Sequence, residues 1–212
     1  MEGTFFMTNR GAFICIEGID ASGKTTQAHR LVRSLRQRGL DAVYTTEPST
    51  GEIGKLIRYY VLDRKKRMPV SVEALLFAAD RIYHLEKEIK PALQKNKIVV
   101  CDRYVYSTLA YQGAANLDLN WIEQINRFAL IPDLALFLDV SPEAVNERMQ
   151  SKSKKSVMET LKNQRRVCEV YLKMVKEGRL MRIDGNKPVN AVAAEILRVV
   201  VEFLESVHVL QS

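Results

Sequence analysis

Long apolar runs and cysteine are both scarce in this chain of 212 residues, and each shortage disfavours a class of protein. No stretch approaches the roughly 18 apolar residues that a membrane-spanning helix needs, so we expect no membrane partner. Residues 1–10 lack the charged start and apolar centre of a signal peptide. The three cysteines, Cys15, Cys101 and Cys168, are scattered, which indicates small buried side chains rather than a disulfide framework or metal ligands. We therefore expect a cytoplasmic enzyme.

Aromatic residues are missing from the basic clusters, although the formal net charge of the chain is +7. Positive residues concentrate at 64–67 and 152–155, and no aromatic side chain interleaves either cluster, as single-stranded nucleic acid would require. A cleft for a small phosphorylated ligand explains the excess positive charge equally well. We therefore expect no nucleic-acid partner.

Residues 18–25 read Gly-Ile-Asp-Ala-Ser-Gly-Lys-Thr and match the phosphate-binding loop G-x-x-x-x-G-K-[ST]. An apolar strand is predicted before the loop, over 12–16, and a helix after it, over 26–38, which is the context that this motif requires. Backbone N–H groups of such a loop point at phosphate oxygens, while Lys24 would reach the β- and γ-phosphates and the Thr25 hydroxyl would bind Mg²⁺. We predict that a nucleoside triphosphate is bound by Gly18, Ile19, Asp20, Ala21, Ser22, Gly23, Lys24, Thr25 and Thr26.

Short apolar segments alternate with amphipathic helices along the rest of the chain. Strands that read as continuous apolar runs are buried on both faces, which indicates a parallel sheet covered by helices. We predict an α/β fold, a three-layer sandwich with a five-stranded parallel sheet, forming one domain over 11–212 after a flexible N-terminus at 1–10. Ser71 and Asn120 are predicted to cap two of the helices. The predicted strands are 12–16, 42–46, 98–101, 134–138 and 180–183.

Ligands of such sheets bind beyond the carboxyl ends of the strands, where two aspartates stand. Asp102 follows one strand and precedes Arg103, which places an anion for a metal beside a cation for phosphate. Asp139 follows another strand, but the helix start after it favours a solvated strand end. Either aspartate could orient the Mg²⁺ shell, and the pattern favours Asp102.

A lysine-rich segment follows the strand predicted at 134–138. Arg148, Lys152, Lys154 and Lys155 lie there, in a polar stretch between two predicted helices. The segment is either a solvated charged loop or a lid, over about 148–158, that brings cations to the transferred phosphoryl group.

Taken in order, five segments resemble the thymidylate kinase family. They are Gly18 to Gln27, Glu47-Pro48, Leu76-Phe77-Ala78-Ala79-Asp80-Arg81, Asp102-Arg103-Tyr104 and Ser107-x-x-Ala110-Tyr111-Gln112-Gly113. The resemblance runs through nearly the whole of residues 12–200. It implies a P-loop kinase fold and transfer of the γ-phosphate of ATP to dTMP, with Mg²⁺, to form dTDP. It also implies a homodimer.

The resemblance implies a role for each matching side chain. Asp20 would contact the sugar 3′-hydroxyl of dTMP, Arg103 would hold its phosphate, and Phe77 would stack on thymine. Arg81 would hydrogen-bond the base, and Asp102 would lie near Mg²⁺. From the residues alone, Phe77 fits the core of an apolar run equally well. The other acceptor residues would be Glu47, Pro48, Ser107, Tyr111 and Gln112, and the adenine loop would contain Lys187 and Pro188.

Two positions depart from the family pattern. Ala21 stands where some members carry an arginine, and the turn at 47–51 lacks the arginine that some relatives place near the acceptor phosphate. The missing catalytic cation is therefore expected from the lid, from Arg148, Lys152 or Lys154. Together with Lys24, Asp102 and Arg103, these form the predicted catalytic set.

Three other functions stay open on the sequence. A kinase of the same fold with a different monophosphate acceptor needs only small changes around 107–112. A P-loop switch protein is disfavoured because the chain lacks an Asn/Thr-Lys-x-Asp guanine-binding motif. A nucleic-acid-stimulated ATPase would differ by hydrolysing ATP faster with DNA, without a monophosphate acceptor.

Overall fold

The structure, a computed structural model, describes residues 6–7, 11–61, 68–145, 161–207 and 210–211. Within these ranges, strands β1 to β5 of the central sheet span Ala12–Glu17, Ala42–Thr46, Ile98–Asp102, Leu134–Asp139 and Met181–Asp184. Helices α1 to α8 span Lys24–Gln37, Glu52–Val61, Val70–His84, Lys90–Gln94, Val105–Ala114, Leu119–Ile125, Leu161–Lys176 and Val189–Ser206. A π-helical turn, Leu85–Ile89, joins α3 to α4.

All five strands of the central sheet run parallel, in the order β2-β3-β1-β4-β5. β1 lies at the centre, where Cys15 is level with Cys101 of β3 and Ala135 of β4. Every residue of β1 and β3 is buried, as strands covered by helices on both faces require. The predicted three-layer α/β sandwich with five parallel strands is confirmed.

Helices flank the sheet and close the hydrophobic core. α1 packs against α8, α5 against α7, and α2 against α3. The core joins the strands to Leu31 and Leu35 of α1, Tyr171 of α7 and Ile196 of α8. The three cysteines are buried within it and free, as predicted. None of the described helices is long and apolar enough to cross a membrane.

Two helix starts differ from the sequence prediction. α3 begins at Val70, with Pro69 in the cap position at φ −51° and ψ 141°, so Ser71 lies inside the first turn. α6 is capped by Asp118, whose carboxylate accepts a hydrogen bond from Asn120 N at 3.0 Å. Both predicted caps were wrong by two residues, because in each case an earlier residue already has the extended backbone that a cap needs.

The two chain ends meet in a small separate sheet. Phe6–Met7 pairs antiparallel with Leu210–Gln211. The rest of the predicted flexible N-terminus lies outside the described residues, as does the predicted lid at 148–158.

Three loops converge at the carboxyl ends of β1, β2 and β3. Arg103 N donates to Ile16 O at 3.1 Å, and Glu47 N donates to Asp102 O at 3.1 Å. Thr46 Oγ1 donates to the same Asp102 carbonyl at 3.0 Å. The phosphate-binding loop, the turn after β2 and the segment after β3 therefore lie side by side, as the strand-end rule predicts.

Candidate active site

The loop between β1 and α1 has the backbone of a phosphate-binding loop. Gly18 has a φ of 153° and Gly23 a φ of 99°. A Cβ at Gly18 would lie 2.9 Å from the Leu138 carbonyl oxygen, so glycine is needed there. Lys24 opens α1, and its Nζ donates to Ile19 O at 2.6 Å. The loop therefore curls round the lysine ammonium, beside which the phosphates of a nucleotide would bind.

The ammonium group of Lys24 is buried, and its pKa is low. Burial and, after it, the positive charge of Arg103 lower the pKa of Lys24 from 10.5 to about 8. The carboxylates of Asp102 and Asp20 act in the opposite direction. Two mutually repelling cations at one strand edge are an arrangement that an anionic ligand stabilises.

Thr25 and Asp102 lie together at the position predicted for Mg²⁺. Thr25 Oγ1 donates a hydrogen bond to Asp102 Oδ2. Asp102 Oδ1 is buried and has no hydrogen-bond partner among the described residues. A buried carboxylate oxygen without a donor costs free energy unless a cation binds it, so this pair fits Mg²⁺. Asp139 is engaged elsewhere, because its Oδ2 accepts from Arg182 Nε at 2.7 Å.

Arg103 joins the phosphate loop to the wall formed by α5. Its φ of 70° is a left-handed conformation that is uncommon for a residue with a side chain. Nη1 donates to Gly18 O at 3.0 Å and to Ser107 Oγ at 3.2 Å. Nη2 forms an ion pair with Asp20 and donates to Tyr111 Oη at 3.3 Å. Arg103 therefore contacts three other predicted acceptor residues, Asp20, Ser107 and Tyr111.

Arg81, the side chain predicted to bond the base, is only 1% exposed. Its Nη2 lies 2.8 Å from Glu47 Oε2 and donates to Thr108 Oγ1 at 2.9 Å. Its Nη1 donates to Asn126 Oδ1, and the guanidinium carbon lies 5.2 Å from the centre of the Tyr104 ring. Arg81 Nε is buried without a hydrogen-bond partner in the part of the chain that the structure describes.

Phe77 and Gln112 lie on two helices that pack against each other, α3 and α5. Phe77 is half-buried, one helical turn before Arg81, and lies outside the main hydrophobic cluster. The alternative that Phe77 is a core residue is therefore not supported. Gln112 is buried within α5.

The turn at 47–51 is fixed by side chains from α2 and α3. The guanidinium of Arg58 donates to the carbonyl oxygens of Pro48 and Ser49. Asp80 accepts hydrogen bonds from Ser49 N and Ser49 Oγ, each at 2.6 Å. An arginine does reach this turn, although it comes from α2, and these two bonds hold the backbone of the turn.

At the predicted ATP site, the phosphate loop lies close to the start of α8. Lys187 and the loop line a cavity of about 80 Å³, and Pro188 occupies the cap position of α8. Lys187 Nζ lies 2.8 Å from Glu195 Oε2, and this hydrogen bond raises the pKa of Lys187. Other residues lining the cavity are Ser22, Gly23, Thr26, Gln27 and Gly185.

The lid cations predicted from the sequence are not among the described residues. These cations are Arg148, Lys152 and Lys154. Ala21 is exposed on the phosphate loop with a φ of 58° and brings no charge to it.

Three residues that hold the site together were missed from the sequence. Glu17 is buried directly before the phosphate loop, Asn126 bonds Arg81, and Tyr171 bonds Glu17. Glu17 carries a local signal, because it is a charged residue at the end of an apolar strand. Asn126 and Tyr171 carry none, since their partners come from distant segments.

Comparison with known proteins places these features in a family. The family model described as thymidylate kinase matches residues 16–196. A probable thymidylate kinase of Pyrococcus abyssi is 46% identical over 190 residues, covering 87% of this chain and 90% of that protein. A probable thymidylate kinase of Thermococcus onnurineus is 45% identical, with coverages of 86% and 90%. The thymidylate kinase of a Geobacillus species is 39% identical over 207 residues, with coverages of 92% and 99%. This chain belongs to the thymidylate kinase family.

Proposed function

We propose that this chain transfers the γ-phosphate of ATP to dTMP, forming dTDP and ADP, with Mg²⁺ as the metal. The observation that carries the proposal is the position of Arg103. Its guanidinium contacts the phosphate loop at Gly18 and Asp20, and the α5 wall at Ser107 and Tyr111. An acceptor phosphate bound by Arg103 would lie next to a γ-phosphate bound by the loop. Such proximity supplies much of the catalysis in phosphoryl transfer.

On the donor side, Lys24 and the loop N–H groups would bind the β- and γ-phosphates of ATP. Thr25 Oγ1 and Asp102 would hold Mg²⁺, which when bound neutralises charge on the phosphate oxygens. The described residues contain no group of three or more His, Cys, Asp or Glu side chains suited to a metal. Mg²⁺ needs only one or two protein ligands when substrate phosphates and water supply the rest.

On the acceptor side, Arg103 presents a planar fork that matches a phosphate group. Asp20 pairs with this fork and would accept a hydrogen bond from the sugar 3′-hydroxyl. The Tyr111 ring lies 5.1 Å from the Arg103 guanidinium and would disfavour a ribose 2′-hydroxyl at this wall. These contacts support a deoxynucleoside monophosphate as the acceptor.

For the base, we propose stacking on Phe77 and a hydrogen bond from Arg81. A base on a phenyl face gains about 1–3 kcal/mol. Glu47 and Asn126 hold the Arg81 guanidinium, which leaves its Nε as a free donor among the described contacts. Gln112 on the facing helix would complete the pocket.

The catalytic cation that Ala21 does not supply is proposed to come from Arg148, Lys152 or Lys154. All three lie in the sequence between β4 and α7. Lysine would act there as a point charge and arginine as a fork, so exchanging them distinguishes which kind of contact the transferred phosphoryl group needs.

A homodimer formed through α2 and α3 is the second part of the proposal. These packed helices expose Leu56, Tyr59, Leu75, Ile82 and Tyr83, each 37–55% accessible. Apolar side chains gathered on one face mark protein interfaces. Leu75→Lys should convert a dimer to a monomer in analytical ultracentrifugation, whereas a monomeric natural chain would refute this interface.

We also propose a cytoplasmic location, where free cysteines are the norm.

The activity is tested by measuring ADP release with ATP and Mg²⁺ across dTMP, dUMP, dCMP, UMP, dGMP, AMP, thymidine and no acceptor. We expect turnover mainly with dTMP, with dTDP identified as the product. Turnover with another monophosphate instead would keep the fold and reassign the pocket around 107–112. ATP hydrolysis without any acceptor, accelerated by DNA, would favour the nucleic-acid-stimulated ATPase.

A further inference from the structure

Glu17 is a buried carboxylate between the phosphate loop and helix α5. It is the last residue of β1, directly before Gly18, and it is 0% exposed. Oε1 accepts from Tyr104 N at 2.8 Å, and Oε2 accepts from Ser107 Oγ at 2.6 Å and from Tyr171 Oη at 3.0 Å. A carboxylate in the core is costly, and a charged group retained beside a substrate site points to a role in that site.

The first of these bonds fixes the backbone of Arg103. The left-handed φ of Arg103 costs free energy for any residue with a Cβ and persists only where neighbours hold it. Arg103 N donates to Ile16 O, and the next N–H, that of Tyr104, donates to Glu17. Both N–H groups that flank the strained residue are therefore tied to the end of β1.

The second bond fixes the side chain of Arg103. Ser107 has a single hydroxyl proton, which it donates to Glu17, so a lone pair of its oxygen is left for Arg103 Nη1 at 3.2 Å. A neutral side chain at position 17 would free the hydroxyl to rotate. Burial raises the pKa of Glu17, while the Ser107 bond and the positive charge of Arg103 oppose that rise.

We propose that Glu17 is a positioning residue for the acceptor phosphate, holding Arg103 in its phosphate-binding conformation through Tyr104 N and Ser107 Oγ. This inference rests on the proposed dTMP kinase function. A carboxylate that only stabilised the fold would affect every ligand alike. A carboxylate that acts through Arg103 affects only ligands that carry the acceptor phosphate.

The test compares dTMP with thymidine, which lacks the phosphate. Dissociation constants for both, and the KM for ATP, are measured for the natural chain, Glu17→Gln and Glu202→Gln. Glutamine keeps the shape and can still accept from Tyr104 N, but it removes the charge. Glu202→Gln is the matched control, because it makes the same chemical change at an exposed glutamate of α8 whose partner is Arg198.

We expect Glu17→Gln to weaken dTMP binding by about tenfold, since charge-assisted bonds are roughly twice as strong as neutral ones. For Glu17→Gln, the thymidine affinity and the KM for ATP should change by less than about twofold. For Glu202→Gln, the dTMP affinity, the thymidine affinity and the KM for ATP should all change by less than about twofold. In the double variant Glu17→Gln/Arg103→Ala, dTMP should bind no more weakly than in Arg103→Ala alone. Equal weakening of dTMP and thymidine, or additive losses in the double variant, would overturn the proposal.

If Glu17→Gln does not fold, judged by circular dichroism, Ser107→Ala breaks the second link alone. It must then show the same selectivity for dTMP over thymidine, and an unselective loss would overturn the proposal. A natural chain that does not use dTMP refutes the proposed function and the positioning role with it. Normal dTMP turnover with unselective variants refutes the positioning role alone.

Discussion

Arg81 Nη2 lies 2.8 Å from Glu47 Oε2, and these side chains are only 1% and 4% exposed. The ion pair between Arg198 and Glu202 on α8 has the same N–O distance, 2.8 Å, with both partners largely in solvent. Removing one partner of a buried pair leaves an uncompensated charge in the core, whereas water replaces the partner of an exposed pair. The two ion pairs have the same N–O distance, but breaking the buried pair should lower the free energy of unfolding much more than breaking the exposed pair.

We predict that Arg81→Met lowers the free energy of unfolding by about 3–5 kcal/mol. Arg198→Met, the control with the same chemical change, should lower it by less than about 1 kcal/mol. Urea unfolding at fixed pH and salt measures both values. If the two variants lose the same amount, the Glu47 carboxylate does not depend on Arg81 for its burial.

A second prediction concerns pH and Lys24. Burial and the nearby Arg103 guanidinium lower the pKa of Lys24 to about 8, and a bound polyphosphate raises it again because it favours the charged form. ATP binding must therefore take up protons near and above this pH, and the affinity for ATP must fall as pH rises through it. Calorimetry in two buffers of different ionisation enthalpy measures the uptake.

Lys24→Arg is the control for this pH dependence. Arginine keeps the positive charge but does not titrate in this range, so the proton uptake should disappear even where some ATP binding remains. Unchanged uptake in Lys24→Arg would assign the titration to another group.

The fold and part of the site were predictable because their signals are local. The glycines and lysine of 18–25 set the phosphate loop, and the apolar runs of β1, β3 and β4 mark buried strands. The Thr25–Asp102 contact followed from the rule that parallel strands end at one edge. β5, at the edge of the sheet, was displaced by one residue, since its exposed first residues weaken the apolar pattern.

The rest of the site depends on partners that no local pattern reveals. Asn126 bonds Arg81 from 45 positions away, and Tyr171 bonds Glu17 from 154 positions away. Arg58 reaches the turn at 47–51 from the next helix, so searching that turn for an arginine missed it. Such contacts are fixed by how helices pack on the sheet, which a single sequence specifies only through the whole fold.

The third prediction separates the two substrates. Arg103→Ala should raise the KM for dTMP by about 100-fold, because it removes a charged, hydrogen-bonded fork from the acceptor phosphate. The KM for ATP should rise by less than about threefold. Arg38→Ala, at an exposed position after α1, is the control and should change neither value. Equal losses for dTMP and ATP in Arg103→Ala would mean that Arg103 does not belong to the acceptor.

The last prediction concerns Gly54 in α2, which packs against Ser49 of the turn at 47–51. A Cβ there would lie 1.9 Å from Ser49 O and 2.8 Å from Ser49 N, and both distances are shorter than a Cβ atom can approach another heavy atom without a clash. Ser49 cannot move aside easily, because Asp80 holds its N–H and hydroxyl, and Arg58 holds its carbonyl. Gly54→Ala must therefore displace α2 or the turn at 47–51.

We expect Gly54→Ala to lower the free energy of unfolding by about 3 kcal/mol and to raise the KM for dTMP more than that for ATP. Gly39→Ala is the matched control, since Gly39 has a φ of 78° with no atom within 4 Å of an added Cβ. It should cost about 1–2 kcal/mol from backbone strain alone and leave both KM values unchanged. Thermal unfolding and steady-state kinetics compare Gly54→Ala with Gly39→Ala. Equal losses of stability and equal KM values in the two variants would show that the turn at 47–51 shifts easily to accommodate the added methyl group.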